Sequence, residues 1–175
     1  MNKVEISFKL LDGNAKLPTK GKDGDAAYDL YCIEKVIIYP GETVKVRTGL
    51  QLAYMTPEQG DDLLYLQIKG RSGVSSKGVY PLGGVVDATY RGEIQVILHN
   101  GNRRYTLEDV NGWMGDKSIS GMLADFNASK VITFNPGDRI AQFVITRTPK
   151  CVDIRETDLI IESTRGSSGF GSTGV

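Results

Sequence analysis

The run Gly70-Arg-Ser-Gly73 places a fixed cation, a hydroxyl and a glycine at consecutive positions, Arg71, Ser72 and Gly73. Beside a helix start this combination suits a phosphate, which needs charge, a hydrogen-bond donor and backbone N–H groups that it can approach closely. Taken alone, the tripeptide is more simply the opening of a short helix. Asp29, in Ala26-Ala-Tyr-Asp-Leu30, is by itself an ordinary turn acid, and so is Asp87 in Gly84-Val-Val-Asp-Ala-Thr-Tyr-Arg-Gly92. The C-terminal stretch sets Arg165, Ser167, Ser168, Ser172 and Thr173 among glycines, Gly169 included, with one aromatic, Phe170. By composition this is a flexible linker. The same residues also suit a strip that orders over a phosphorylated ligand, with donors for a terminal phosphate and a ring to cover a base.

The elements that must position these groups are short. Alternating or apolar runs at 4–10, 36–39, 43–47, 63–68, 93–98, 131–134 and 140–146 have the period of two expected of strands. Tyr39-Pro-Gly41 and Asn135-Pro-Gly-Asp138 separate them, because Pro fixes φ and Gly tolerates positive φ. The pattern predicts an all-β antiparallel barrel or sandwich. No long segment keeps a 3.6-residue apolar stripe, and only 71–77 reads as a short helix. Residues 101–125 separate two strands that a tight hairpin could have joined, a long connection for a compact domain. They read either as a tolerated surface insertion or as a binding arm, since they carry the only Trp, Trp113.

At 175 residues the chain fits one domain. Lys plus Arg and Asp plus Glu both number 21, so no broad positive field exists to grip polymeric nucleic acid. Cys32 and Cys151 form no CxxC pair, which argues against a disulfide scaffold or zinc ribbon and suits a reducing cytoplasm. The N-terminal residues alternate polar and apolar, so neither a signal peptide nor a membrane span is expected. With one histidine, His99, a metal would be held by oxygen, which favours Mg²⁺ over Zn²⁺.

Five separated segments, in order, resemble the five motifs of the trimeric dUTPases: Ala26-Ala-Tyr-Asp-Leu30, Gly70-Arg-Ser-Gly73, Gly84-Val-Val-Asp-Ala-Thr-Tyr-Arg-Gly-Glu93, Gly137-Asp-Arg-Ile-Ala-Gln142 and Arg165-Gly-Ser-Ser-Gly-Phe-Gly171. The resemblance spans nearly the whole chain outside 101–125. It implies a dUTPase-like β-barrel or jelly roll with one short helix, covering 1–164, and a closing arm at 165–175. It also implies a homotrimer that hydrolyses dUTP to dUMP and pyrophosphate with Mg²⁺, in the cytoplasm.

Residue by residue, the resemblance implies that Asp87 orients and deprotonates water for attack at the α-phosphorus. Asp29 would help hold Mg²⁺ through coordinated water. Arg71, Ser72 and Gly73 would contact phosphate, and Gln142 would reach the phosphate chain or a metal-bound water, whereas Asp138 and Arg139 stabilise their turn. Tyr90 would lie against deoxyribose where a 2′-hydroxyl would need to fit, a core tyrosine being the alternative. Backbone groups around Gly84, Val85 and Tyr90 would read uracil and crowd a 5-methyl group; such readout discriminates by roughly 10⁴-fold when a wrong substrate leaves polar groups unpaired. Arg165, Ser167 and Ser168 would bind phosphate, Gly169, Ser172 and Thr173 would also contact substrate, and Phe170 would stack on uracil from a neighbouring subunit. Thr89 stands where an acid is frequent. The extra segment resembles an insertion of staphylococcal phage dUTPases, a group similar in binding repressor proteins, which makes a repressor-type partner a second expectation. The alternatives are dCTP deaminase, which shares the fold, and a non-catalytic nucleotide-dependent binding protein.

Overall fold

The computed structural model describes residues 3–106, 108–109, 119–161 and 163, with backbone only at 119–122. Eleven strands are seen among them: β1 (Ile6–Leu10), β2 (Tyr28–Tyr31), β3 (Val36–Ile38), β4 (Thr43–Met55), β5 (Glu58–Gln59), β6 (Asp62–Lys69), β7 (Val79–Leu82), β8 (Val85–Asp87), β9 (Glu93–Asn100), β10 (Ile132–Phe134) and β11 (Arg139–Pro149). Helix α1 (Ser72–Ser75) follows β6, and α2 (Ile119–Ala128) precedes β10. Every strand pair is antiparallel. One sheet runs β1-β4-β9-β7, a two-stranded sheet pairs β10 with β3, and the third runs β2-β11-β6-β5 with β8 also on β6. The all-β expectation therefore holds, as does the short helix after β6.

A single buried cluster joins the sheets, with Leu30, Ile38, Leu50, Leu66, Leu98 and Ile140 among its almost fully buried members. Each such side chain, taken out of water, contributes roughly 1.5–3 kcal/mol. Pro81 is tolerated within β7 because that strand lies at the end of its sheet, where a missing N–H breaks no second ladder.

Three features depart from the sequence reading. Strand β4 continues well past 47 because Thr48 and Gly49 form a bulge rather than an ending: the register to β9 shifts between Arg47 and Leu50. Gly49 has φ +66°, and a Cβ there would sit 2.8 Å from that of Ala15. The buried Thr48 hydroxyl donates to the Ile94 carbonyl at 2.5 Å, so the bulge leaves no polar group unsatisfied. Second, β9 and β10 lie in different sheets, so no tight hairpin could have joined them. The segment between them crosses from one sheet to another. Third, that segment holds the ten-residue helix α2, although no apolar stripe announces it. Buried Asn100 pins both roots of the crossing, its amide donating to the carbonyls of Ile38 (3.0 Å) and Lys130 (2.9 Å).

Candidate active site

Strand β8 is three residues long, and its approach is set by Gly83 and Gly84, with φ of +66° and +114°. Gly84 is irreplaceable on two counts. Its φ is one that L side chains rarely adopt, and a Cβ would meet the Ile68 carbonyl oxygen at 2.9 Å. That closeness lets the Gly84 carbonyl accept the Ile68 N–H at 2.7 Å. Asp87, at the end of β8, pairs across to Tyr65 on β6. Its side chain is exposed, and no hydrogen bond or ion pair engages its carboxylate among the described residues. A turn follows, closed by the Tyr90 N–H donating to the Asp87 carbonyl at 3.0 Å.

These residues face a cleft of about 410 Å³ whose lining includes Gly84, Val85, Asp87, Tyr90 and Glu93. Tyr90 is not a core residue: 46% of it is exposed, and its hydroxyl donates to the Glu93 carbonyl at 3.3 Å. An exposed ring beside a free carboxylate and a glycine-lined backbone suits a ligand with an apolar face and a polar edge.

A second group forms on the other side of β6. Asp29 on β2 lies opposite Gln142 on β11, and Gln142 lies opposite Lys69 on β6. The Gln142 amide donates to the Gly70 carbonyl at 2.8 Å, fixing the turn that presents Arg71. Arg71 is the N-cap of α1, in extended conformation, and its Nε donates to Asp29 Oδ1 at 2.7 Å. Arg139 Nη1 lies 3.3 Å from the other carboxylate oxygen. One buried acid thus serves two guanidinium groups, leaving a surplus positive charge that would attract phosphate. Ser72 and Gly73 stand exposed next to Arg71. Asp138 stabilises its turn as expected, accepting the Asn135 N–H at 2.7 Å; Arg139 instead joins Asp29.

The two groups do not converge within one chain. Asp87 lies opposite Tyr65 on one edge of β6, and Gln142 opposite Lys69 on the other edge. Four residues of strand and two strand spacings separate them by roughly 16 Å. None of Asp29, Arg71, Ser72 or Gln142 lines the Asp87 cleft. Sequence order conceals this, because a strand's two edges are not distinguishable in its side-chain alternation. Trp113 and the tail residues Arg165, Ser167, Ser168, Gly169, Phe170, Ser172 and Thr173 lie outside the described residues.

The family model for dUTPase matches residues 13–110 and 109–174. The chain belongs to the dUTPase family. A deoxyuridine 5′-triphosphate nucleotidohydrolase of Clostridium tetani is 36% identical, the alignment covering 99% of each chain. The vaccinia virus (strain Copenhagen) enzyme of the same name is 34% identical over 97% of this chain and 93% of its own. Among solved structures, a mutant dUTPase of staphylococcal phage 80alpha aligns with a TM-score of 0.71 and 25% identity, covering 96% of this chain and 98% of the other. The same phage enzyme bound to dUpNHpp aligns over the full length of both chains, with a TM-score of 0.69 and 27% identity. The resemblance to phage members is thus matched at the level of structure.

Two residues of this dUTPase escaped the sequence reading. Arg139 is one, and Glu93 is the other: its carboxylate accepts from Arg47 Nε at 3.1 Å and from the Gly49 N–H at 2.9 Å. Burial alone would raise the Glu93 carboxyl, but hydrogen bonds from Arg47, Gly49 and Gln95 outweigh it and hold the group below the usual carboxylate range. The one available signal was position, directly after Gly92. Among the described residues no three His, Cys, Asp or Glu side chains cluster, so this dUTPase presents no all-protein metal cage there.

Proposed function

We propose that the protein hydrolyses dUTP to dUMP and pyrophosphate at sites shared between copies of the chain. The observation that carries this is the free carboxylate of Asp87 at the mouth of a glycine-shaped cleft, set apart from the Asp29, Arg71 and Gln142 group. A nucleotide whose base and sugar occupy the cleft would have its phosphates met by another subunit's Arg71, Ser72 and Gly73. A homotrimer with three composite sites satisfies that requirement, and residues 165–175 would close each one through Arg165, Ser167, Ser168, Ser172 and Thr173, with Phe170 over the base.

Asp87 accepts a proton from water as the water oxygen attacks the α-phosphorus; the bond from that phosphorus to the bridging oxygen breaks, and pyrophosphate leaves. The segment from Gly84 to Tyr90 offers backbone donors and acceptors to the uracil edge, and its close packing on Ile68 leaves little freedom to accommodate a larger base. Tyr90 supplies the sugar-facing ring. The residues present fit a Mg²⁺ carried by the triphosphate rather than one caged by protein: Asp29 is the single carboxylate in the phosphate-binding group, and both its oxygens already hold guanidinium partners. It would act on the ion only through water. The ion's contribution, when bound, is to neutralise charge that develops on the phosphate oxygens.

Incubation with dUTP and with dCTP in the presence of Mg²⁺ tests the reading. Pyrophosphate from dUTP is expected. Ammonia from dCTP with dUTP left intact would establish the deaminase instead, and neither product would leave a nucleotide-binding protein. A solution mass of one chain would overturn the shared site.

A second role rests on a separate surface. Tyr105 packs edge-on against Phe126, Arg103 lies over the Tyr105 ring while also pairing with Asp109, and Lys130 lies over Phe126, giving a partly exposed aromatic and basic cluster where the inserted segment meets the end of α2. Such a cluster suits a protein partner of the repressor type. Co-purification from the native host with the intact chain, lost on replacing Phe126 and Arg103, is the expected result.

A further inference from the structure

The bulge of β4 and the start of β9 are joined by one side chain. Glu93 begins β9, and its carboxylate reaches back across the register shift to accept two contacts from Arg47 Nε (3.1 and 3.2 Å) and the Gly49 N–H (2.9 Å). The Gln95 amide adds a weaker contact at 3.4 Å. The Gly49 N–H is held in a buried bulge at positive φ, where leaving it unpaired is costly. Glu93 is therefore not a surface acid that happens to meet an arginine; it ties two strands at the point where their ladder breaks.

That point is where Tyr90 is held. The Tyr90 hydroxyl donates to the Glu93 backbone carbonyl. The ring lies over Gly92, where even a Cβ would strike the phenol oxygen. Beyond its turn bond to Asp87, the segment has few other anchors: Arg91 caps the Ala88 and Tyr90 carbonyls, and the Gln51 amide donates to the Arg91 carbonyl. The position of the exposed Tyr90 ring thus depends on where the Glu93 main chain sits, and the bonds of the Glu93 side chain to Arg47 and Gly49 add to the ladder pairing of Glu93 with Gln51 in holding it there.

We propose that Glu93 is a positioning residue for substrate selection: by anchoring the Glu93 carbonyl to the β4 bulge, it fixes the Tyr90 ring against the sugar and so enforces rejection of a 2′-hydroxyl. This rests on the reading of the cleft as the nucleoside site. A ring free to shift makes room for the extra oxygen and at the same time loses contact with deoxyribose, so selectivity falls before chemistry does.

The test compares kcat/KM for dUTP and UTP in the full-length protein and in Glu93→Ala, Glu93→Gln, Tyr90→Phe and the Glu93→Ala/Tyr90→Phe double variant. Glu93→Ala should lower the dUTP-to-UTP ratio by about tenfold, with the dUTP loss falling mainly on KM. Glu93→Gln still accepts the Gly49 N–H and should restore about half of that loss on a logarithmic scale. Tyr90→Phe should lower the ratio too, and the double variant should fall no further than the worse single one, because both break one linkage. Additive losses in the double variant, or an unchanged ratio in Glu93→Ala, would overturn the proposal. If Glu93→Ala does not fold, the Gln and Phe variants decide alone, and an unchanged ratio in both overturns it. Absence of dUTP hydrolysis in the unmodified protein would instead defeat the underlying reading of the site.

Discussion

Replacing Gly84 with alanine should damage stability and activity together, by amounts that the backbone around it specifies. At φ +114° an L residue is strained by about 1–2 kcal/mol. The new Cβ would lie 2.9 Å from the Ile68 carbonyl oxygen and 3.2 Å from the Ile68 Cβ, both on a central strand that cannot swing aside. Strand β8 must then lift, weakening the hydrogen bond from the Ile68 N–H to the Gly84 carbonyl, worth about 1 kcal/mol. The total is about 2–3 kcal/mol, and at roughly 2–4 °C per kcal/mol for a chain of this size the unfolding midpoint should drop by about 4–12 °C. A lift of about 1 Å also displaces Asp87 from the reacting phosphorus, which should cost about 100-fold in kcat/KM. Gly83→Ala is the internal control: φ is +66°, but nothing lies within 4 Å of the added methyl, so only the strain of about 1 kcal/mol remains. Thermal unfolding and steady-state pyrophosphate release measure both quantities. If Gly84→Ala unfolds no lower than Gly83→Ala, the close approach to Ile68 is not what holds β8.

Asp87→Asn should bind a non-hydrolysable dUTP analogue with near-unchanged affinity yet lose most of kcat, since an amide cannot take the proton; near-normal turnover would remove Asp87 from the base role. Asp29→Asn leaves Arg71 and Arg139 facing each other uncompensated and should destabilise the ligand-free protein by about 2 kcal/mol, less than a fully buried pair because Arg139 is half-exposed. Added nucleotide, by neutralising those cations, should recover more of the midpoint in this variant than in the parent. The Glu93 carboxyl is held below its unfolded value of about 4.3, so its stabilisation is present above that pH and is lost as pH falls through the folded value. The unfolding midpoint should stay level from pH 7 to about 5 and decline below about 4.3, and Glu93→Gln should flatten part of that decline. Replacing residues 105–128 by a short Gly/Ser linker should leave dUTP hydrolysis within a few-fold, whereas excising 101–125 should fail, because it removes Asn102, which donates to Asn100 and to the Lys77 carbonyl, and cuts α2 in two.

How far the sequence could be read varied with the kind of signal. Strands β6 and β9 were legible because both alternate cleanly. β7 and β8 were not, since Pro81 and the Gly83-Gly84 pair read as punctuation; the first is tolerated on an edge strand and the second is a shaped approach to Asp87. Strand β4 reads as stopping at Arg47 because Thr48-Gly49 looks like punctuation, whereas the two residues form a bulge that keeps Leu50 and Leu52 on the same inward face as Val44 and Val46. Helix α2 lacked a stripe strong enough to announce it. Arg139 looked like a turn residue because its partner, Asp29, is 110 residues away.

The chemistry of this protein is a property of its residue types in order. An acid, a cation with a hydroxyl, an acid in a glycine-bounded segment and an amide, spaced along the chain, determine the family and the kind of ligand, because those groups are needed whatever the scaffold. Their geometry belongs to the tertiary structure alone. Which edge of β6 each strand takes decides that Asp87 faces one cleft while Asp29, Arg71 and Gln142 gather roughly 16 Å away. In the other sheet, the pairing of β4 with β9 lets Glu93 reach the Gly49 N–H and hold the Tyr90 ring in place. Alternation along a strand tells which side chains share a face of the sheet. It carries no information about which neighbour lies on which edge, and in this chain that arrangement decides whether one copy can complete a site.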